Sequence, residues 1–199
     1  MSVQTLYTAA TGMEALQTKL DVIANNLANV NTTGFKKDRA NFEDLFYRTE
    51  QVPGAEDAAG NPTPTGTQVG LGTRVSSVQT DFRQGALLQT GRNLDVAIQG
   101  NGFLQVTDPS GEILFTRAGH LDLNANGQLV IASAGIGRLI EPAINVPQDA
   151  IEIAISDDGF VRYRQAGSDA LQDAGQLQLA IFQNPDGLLK LGDNLFART

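Results

Sequence analysis

The sequence predicts a mainly β protein of the α+β class, with one long amino-terminal helix followed by an all-β domain of sandwich or barrel-like build. Three observations predict it. Apolar residues recur at alternating steps of three and four from Leu6 to Val30, the period of a single helical stripe. From Thr73 onward the apolar period falls to two, the period of half-buried strands. Gly- and Asn-rich turn signals separate the period-two runs. A chain of 199 residues allows one or two domains with a real core.

The helical stripe is Leu6, Ala9, Met13, Leu16, Leu20, Ile23, Leu27 and Val30, a heptad seam. As a straight helix it runs about 42 Å. Ser2 suits the N-cap, and Gly34, after Thr32-Thr33, suits a left-handed C-cap. Gly12 sits within the helix and costs roughly 1 kcal/mol relative to Ala. So narrow a seam fits another helix, and no second heptad stretch follows. The partner is therefore expected on another molecule; the competing reading is a core stripe packed on its own domain. Asn25, Asn26, Asn29 and Asn31 crowd the end of the helix. They read either as fraying or as a ladder of side-chain amides bonding neighbouring subunits. The expected subunit-packing residues are Leu6, Met13, Leu16, Leu20, Ile23, Asn25, Asn26, Leu27, Asn29 and Val30.

Phe35 to Thr49 reads as a second short amphipathic segment with Phe42, Leu45 and Phe46 on its apolar face, and completes a helical segment over 1–50. Residues 51–72 are rich in Gly, Pro and Thr, with Pro53-Gly54, Asn61-Pro62 and Pro64 as breaks, and read as an extended loop. The β domain follows over 73–187. In it Leu94, Val96 and Ile98, then Ile151, Ile153 and Ile155, then Leu177, Leu179 and Ile181 alternate as inward positions. Turns are expected at Asn101-Gly102, Asp108-Gly111, Asn126-Gly127, Asp158-Gly159 and Asn184-Gly187. The apolar tail 188–199 either packs back on the β domain or begins another element.

The net charge of −8 and a pI near 4.5 argue against nucleic acid. Residues 1–51 carry a net charge of only −1, which suits close packing of many copies. With no cysteine, disulfides, thiolate catalysis and Cys-based zinc sites are excluded. No apolar run is long enough to span a membrane, and the amino terminus lacks the pattern of a secretory signal. His120 is the only histidine and builds no familiar zinc site; no G-x-S-x-G elbow supports it as a catalytic base. Gly100-Asn101-Gly102 and Gly70-Leu71-Gly72 both fail the dinucleotide fingerprint. Asp122, Asn124, Asn126 and Gly127 resemble half of a calcium loop, but Ser133 stands where Glu is needed; a hairpin turn explains them. Asp157-Asp158 are adjacent and so point to opposite sides of a strand, a poor acid–base pair. Catalytic, metal and cofactor residues are all expected to be absent.

Two long runs carry a resemblance. Thr8-Ala9-Ala10-Thr11-Gly12-Met13, followed by Leu20 through Lys36, resembles the amino-terminal signature of the bacterial flagellar axial proteins, the rod and hook family. Leu94 through Phe103, then Phe115-Thr116-Arg117-Ala118-Gly119 and Asn126 through Val130, resemble the family's second signature. The segment 51–72, running into Val69-Gly70-Leu71-Gly72-Thr73, favours the rod over the hook members. The resemblance implies a structural subunit that leaves by the flagellar type III export apparatus without a cleaved signal. It implies helical self-assembly in the periplasm beside neighbouring rod and hook proteins, with no cofactor and no membrane insertion. It further implies that the amino-terminal helix packs in a tube wall against a carboxy-terminal helix, under an outer β layer. The family pattern continues into a second heptad helix, and this chain stops at Thr199, which implies a truncated or shortened form. Outside the family, the rival readings are a β-rich glycan or peptidoglycan-binding module with an oligomerising helix, or a carboxylate hydrolase. The first would need an aromatic groove, yet there is no Trp and only three Tyr; the second lacks a matched pair of acids.

Overall fold

A computed structural model describes residues 3–56, 64–133, 135–168 and 170–199. Ser2 and Asn61-Pro62, read above as a helix cap and a loop break, lie outside the described residues. The chain divides into two units, Met1–Asn31 with Lys37–Asp81, and Thr32–Lys36 with Phe82–Thr199. Long helix and antiparallel strands together give the α+β, mainly β class that the sequence predicts.

The first unit is a helix laid along a two-stranded ribbon. Helix α1 spans Val3–Ala28, and strands β1 to β4 span Asp38–Asp44, Tyr47–Gln51, Thr67–Gly70 and Thr73–Thr80. β1 pairs with β4 from Asp38–Thr80 to Asp44–Thr73, with a bulge at Asn41/Phe42. β2 pairs with β3 from Tyr47–Gly70 to Gln51–Thr67. Leu45 N donates to Gly72 O at 2.9 Å and Leu71 N to Phe46 O at 3.0 Å, joining both pairs into one ribbon. The helical reading of 35–50 is therefore corrected. Phe42, Leu45 and Phe46 imitate a helical step, but 38–44 and 47–51 pair with the distant strands β4 and β3, and Phe46 is 88% exposed. The loop expected over 51–72 likewise yields β3 to the ribbon.

The second unit is a two-layer β body. Its strands are β5 Phe103–Thr107, β6 Ile113–Thr116, β7 Leu121–Leu123, β8 Leu129–Ile131, β9 Arg138–Glu141, β10 Ala150–Ile155, β11 Phe160–Gln165, β12 Leu171–Gln176, β13 Leu179–Ala180, β14 Leu189–Gly192 and β15 Leu195–Ala197. The larger sheet runs β14-β15-β6-β5-β9-β8-β7, with β13 sharing one edge of β5 with β9; β10-β11-β12 form the smaller sheet. Period-two alternation splits the larger sheet's side chains between two cores. Leu104, Val106, Leu114, Leu195 and Ala197 join Leu121, Leu129 and Ile140 in one cluster, closed by Val161, Ile153 and Tyr163 of the smaller sheet. Phe103, Phe115 and Phe196 form the other with Phe82 and Phe182. These rings meet edge to face, the closest pair being Phe115 and Phe182 at 4.7 Å, the arrangement that the ring quadrupole favours.

The predicted turns at Asp108–Gly111 and Asn124–Gly127 form, each closed by an N–H donated to the carbonyl three residues back, at 2.8 and 2.9 Å. Three strand expectations need correction. Leu94, Val96 and Ile98 pack on the core, but only Asp95 makes a bridge, to His120; there a Cβ on Gly119 would strike the Val96 carbonyl, so only Gly allows the approach. Ile151 is 68% exposed because the register shifts between Ala150 and Glu152. After Leu177 the inward face changes: Ile181 is exposed, and Phe182 turns in to the aromatic cluster. The tail packs back on the β body, where β15 lies between β14 and β6. Gly34, expected as a helix cap, has φ +77° in a turn closed by Phe35 N donating to Thr32 O at 3.2 Å; the helix has already ended at Ala28.

Candidate assembly surface

Helix α1 carries two stripes. Gln4, Thr8, Thr11, Ala15, Thr18, Val22, Asn26 and Asn29 repeat at steps of three and four and are buried or half-buried. Thr8, Thr11, Ala15 and Thr18 are small or hydroxyl-bearing, so the ribbon comes close there. The Leu71-Gly72 backbone lies against Thr8 and Thr11, and Thr8 Oγ1 donates to Leu71 O at 3.3 Å. The Thr8 and Thr18 hydroxyls also return hydrogen bonds to the carbonyls of Gln4 and Glu14, which hides their polarity. Arg48 donates to the Gln4 side chain at 2.7 Å. The sequence signal for this stripe is the small and hydroxyl-bearing residues Thr8, Thr11, Ala15 and Thr18 at the seam's own period.

The predicted seam lies about 140° around the helix from this stripe, at about 100° per residue. It faces solvent. Leu6, Met13, Leu16, Leu20, Ile23, Leu27 and Val30 are between 49% and 70% exposed, and Ala9 is exposed with them. An exposed apolar row of this length is rare on a free protein surface.

The asparagines divide. Asn26 donates from Nδ2 to Asp38 O at 2.8 Å and accepts from Asp38 N at Oδ1 at 2.9 Å. Asn26 is expected among the subunit-packing residues; its side-chain amide bonds the Asp38 backbone as a neighbouring strand would. Asn29 Nδ2 donates to the Asn25 carbonyl and to Asn25 Oδ1, both at 3.0 Å. Asn29 lies just past the end of α1, and this pair bonds within one chain.

Titratable groups elsewhere serve the fold. Arg138, 10% exposed at its side chain, pairs with Asp108 at 3.0 Å and Asp193 at 3.5 Å. Desolvation raises the Asp108 carboxyl, but hydrogen bonds from Ser110 and Arg138 outweigh it and hold the group below its usual range. Burial lowers Arg117, which donates to the Phe82 and Gly100 carbonyls over the Phe103 ring. Asp44 hydrogen-bonds the Tyr47 phenol and raises it. Asn124 Oδ1 accepts from the backbone of Asn126 and Gln128, so the calcium-like run is spent on its own turn. Among the described residues no group of three His, Asp or Glu is placed to hold a metal, and no helix is long and apolar enough to cross a membrane.

A β body joined to a helix with its apolar stripe turned outward defines a subunit of a larger assembly. Comparison with known proteins gives that assembly its identity. Residues 6–36 match the flagella basal body rod protein family, and residues 97–163 match the flagellar hook protein FlgE/F/G D1 domain. The chain is 46% identical over 197 residues to the flagellar basal-body rod protein FlgG of Caulobacter vibrioides, covering 98% of this chain and 74% of the relative. It is 38% identical over 195 residues to FlgG of Bacillus subtilis, covering 97% and 72%. It is also 44% identical over 137 residues to the flagellar hook protein FlgE of Treponema pallidum, covering 67% and 28%. The chain belongs to the flagellar basal-body rod protein family. It is a structural subunit of the flagellar basal body.

Proposed function

We propose that the chain builds the distal rod by helical self-assembly, each copy laying its α1 seam against the helices of neighbouring copies, so that torque passes through multiplied helix packing. The outward stripe carries this reading. Leu6, Met13, Leu16, Leu20, Ile23 and Leu27 are held ready on a helix whose opposite face is already occupied, with Val30 just past its end. Burying such side chains yields about 1.5–3 kcal/mol each when complete, so a seam half-exposed at the start gains on the order of 10 kcal/mol gross, before ordering costs. Rod over hook is supported by coverage, since the hook relative is matched over 28% of its length and the rod relatives over 72% or more. In this reading the partners are copies of the chain, neighbouring rod and hook proteins, and the flagellar type III export apparatus, which passes the chain without a cleaved signal. The protein acts by packing, not by catalysis.

Leu20→Asp and Leu27→Asp test it in cells that rely on the variant as their rod protein. Rod assembly and motility are expected to fail while the purified variant keeps its circular dichroism spectrum. Normal rods would refute the reading.

A further inference from the structure

We infer that Asn101 is a site of spontaneous covalent modification, converted to aspartate and isoaspartate at the entrance to β5, while Asn126, in the same dipeptide, is kept intact by the fold. The chain has two Asn-Gly pairs, Asn101-Gly102 and Asn126-Gly127. Asparagine amides are thermolabile. A following glycine makes them most so, because no side chain shields its nitrogen and few limits bind the backbone angles that bring that nitrogen round. The glycine nitrogen gives up its proton and attacks the side-chain carbonyl carbon of the asparagine. The new C–N bond closes a five-membered succinimide, and the amide nitrogen leaves as ammonia. Water then opens either imide bond. One opening gives aspartate, and the other gives isoaspartate, with the main chain routed through the former side chain.

The fold treats the two pairs differently. At Asn126-Gly127 the turn is shut. Gly127 N donates to Asn124 O at 2.9 Å, and Asn126 N donates to Asn124 Oδ1 at 2.9 Å. Gly127 also lies so close to Val146 that a Cβ would strike its carbonyl. The attacking nitrogen is committed, and it cannot swing towards the Asn126 side chain until these bonds break. The same closure recurs at Gly111 and Gly159, whose N–H groups donate to Asp108 O and Ser156 O at 2.8 Å. Asn101-Gly102 lacks it. Among the described residues no such bond closes on Gly102 N, the Asn101 side-chain amide has no partner, and Asn101 is exposed. The lesion falls at a crowded threshold. A Cβ on Gly102 would meet the Leu179 side chain at 3.2 Å, and Phe103 and Leu104, 3% and 1% exposed, enter the two cores directly after it. Isoaspartate lengthens the main chain by one carbon just before this point. Both products set a negative charge beside Gly100, whose carbonyl accepts from Arg117.

The test ages the whole chain in mildly alkaline buffer, once folded and once unfolded in urea. Peptide mass spectrometry follows the change from amide to acid at each Asn-Gly pair, and an isoaspartyl methyltransferase labels the isoaspartate. In the folded chain Asn101 is expected to convert at least about tenfold faster than Asn126, since the closed turn must first open locally. In urea the two rates should converge, because the dipeptide is the same. Asn101→Ser should keep the parent's circular dichroism spectrum and abolish the fast conversion. The deamidated fraction, separated by ion exchange, should unfold at lower urea than fresh parent or aged Asn101→Ser. Comparable rates in the folded chain, or faster conversion at Asn126, overturn the inference. Rates that stay equally far apart in urea overturn it too, because the difference would then belong to flanking sequence and not to the fold. An unchanged urea midpoint overturns the placement of the lesion at the threshold of β5.

Discussion

Asn26 offers the clearest separation between a residue that holds the subunit and one that joins subunits. Replacing it with Ala removes two hydrogen bonds, of 2.8 and 2.9 Å, to the backbone of Asp38. Each is worth about 1 kcal/mol net. The Asp38 N–H and C=O would also lose these bonds, at a further cost that water offsets because the site is only half-buried. The expected loss is about 2–3 kcal/mol, felt where α1 meets the start of the ribbon. Asn26→Asp keeps the acceptor but sets a carboxylate oxygen against the Asp38 carbonyl, and should lose at least as much. Asn25→Ala removes only an exposed partner of Asn29 and should stay within about 0.5 kcal/mol of the parent. Urea unfolding followed by helical circular dichroism gives the free energies, and hydrogen exchange across residues 3–44 locates the loss. Parent-like stability of Asn26→Ala, together with failed rod assembly, would refute this account and return Asn26 to the interface between copies.

Two other outcomes follow from the β body. Phe196→Ala empties the centre of the aromatic cluster, where Phe196 is 2% exposed and lies 5.2 Å from Phe82, and should cost about 3–5 kcal/mol in chemical denaturation. The lowered Asp108 carboxyl favours the folded state at pH above the ordinary carboxylate range, and that contribution disappears as pH falls through the group's folded value. Thermal midpoints measured from neutral to acid pH should therefore drop less steeply for Arg138→Met than for the parent, from a lower starting value; parallel curves would show that the Arg138–Asp108 pair plays no part.

What the sequence made legible was whatever repeats locally. The seam stood out because Leu6 to Val30 keep one period through several turns, and Asn126-Gly127 and Asp158-Gly159 were read as turns because their chemistry acts within four residues. Pairing between distant segments left weaker marks. The step Phe42-Leu45-Phe46 is as good for a helix as for a strand, and β1 exists because β4 lies beside it. Ile151 and Ile181 keep a strict alternation yet face solvent. A register shift decides the first, and the pull of Phe182 towards Phe103 and Phe115 decides the second. At the assembly surface the apolar row was readable, whereas the division of the asparagines was not. Asn25 and Asn26 are neighbours of identical type, and only the folded backbone of Asp38 tells them apart.

The placement of β15 has a consequence in time. This three-residue strand, far along the chain from its sheet neighbour β6, sits inside the larger sheet and sends Leu195 and Phe196 into separate cores. Thr116, fully buried, donates to Asn194 O across 78 residues of sequence. Contacts of such separation form late and slowly, because a long loop must close before they stabilise anything. Neither core is complete until Leu195 and Phe196 are free to join. A chain whose residues 195–197 are still held, by a ribosome or by a narrow passage, keeps its β body open, so the moment at which this segment is delivered sets the moment at which the body folds.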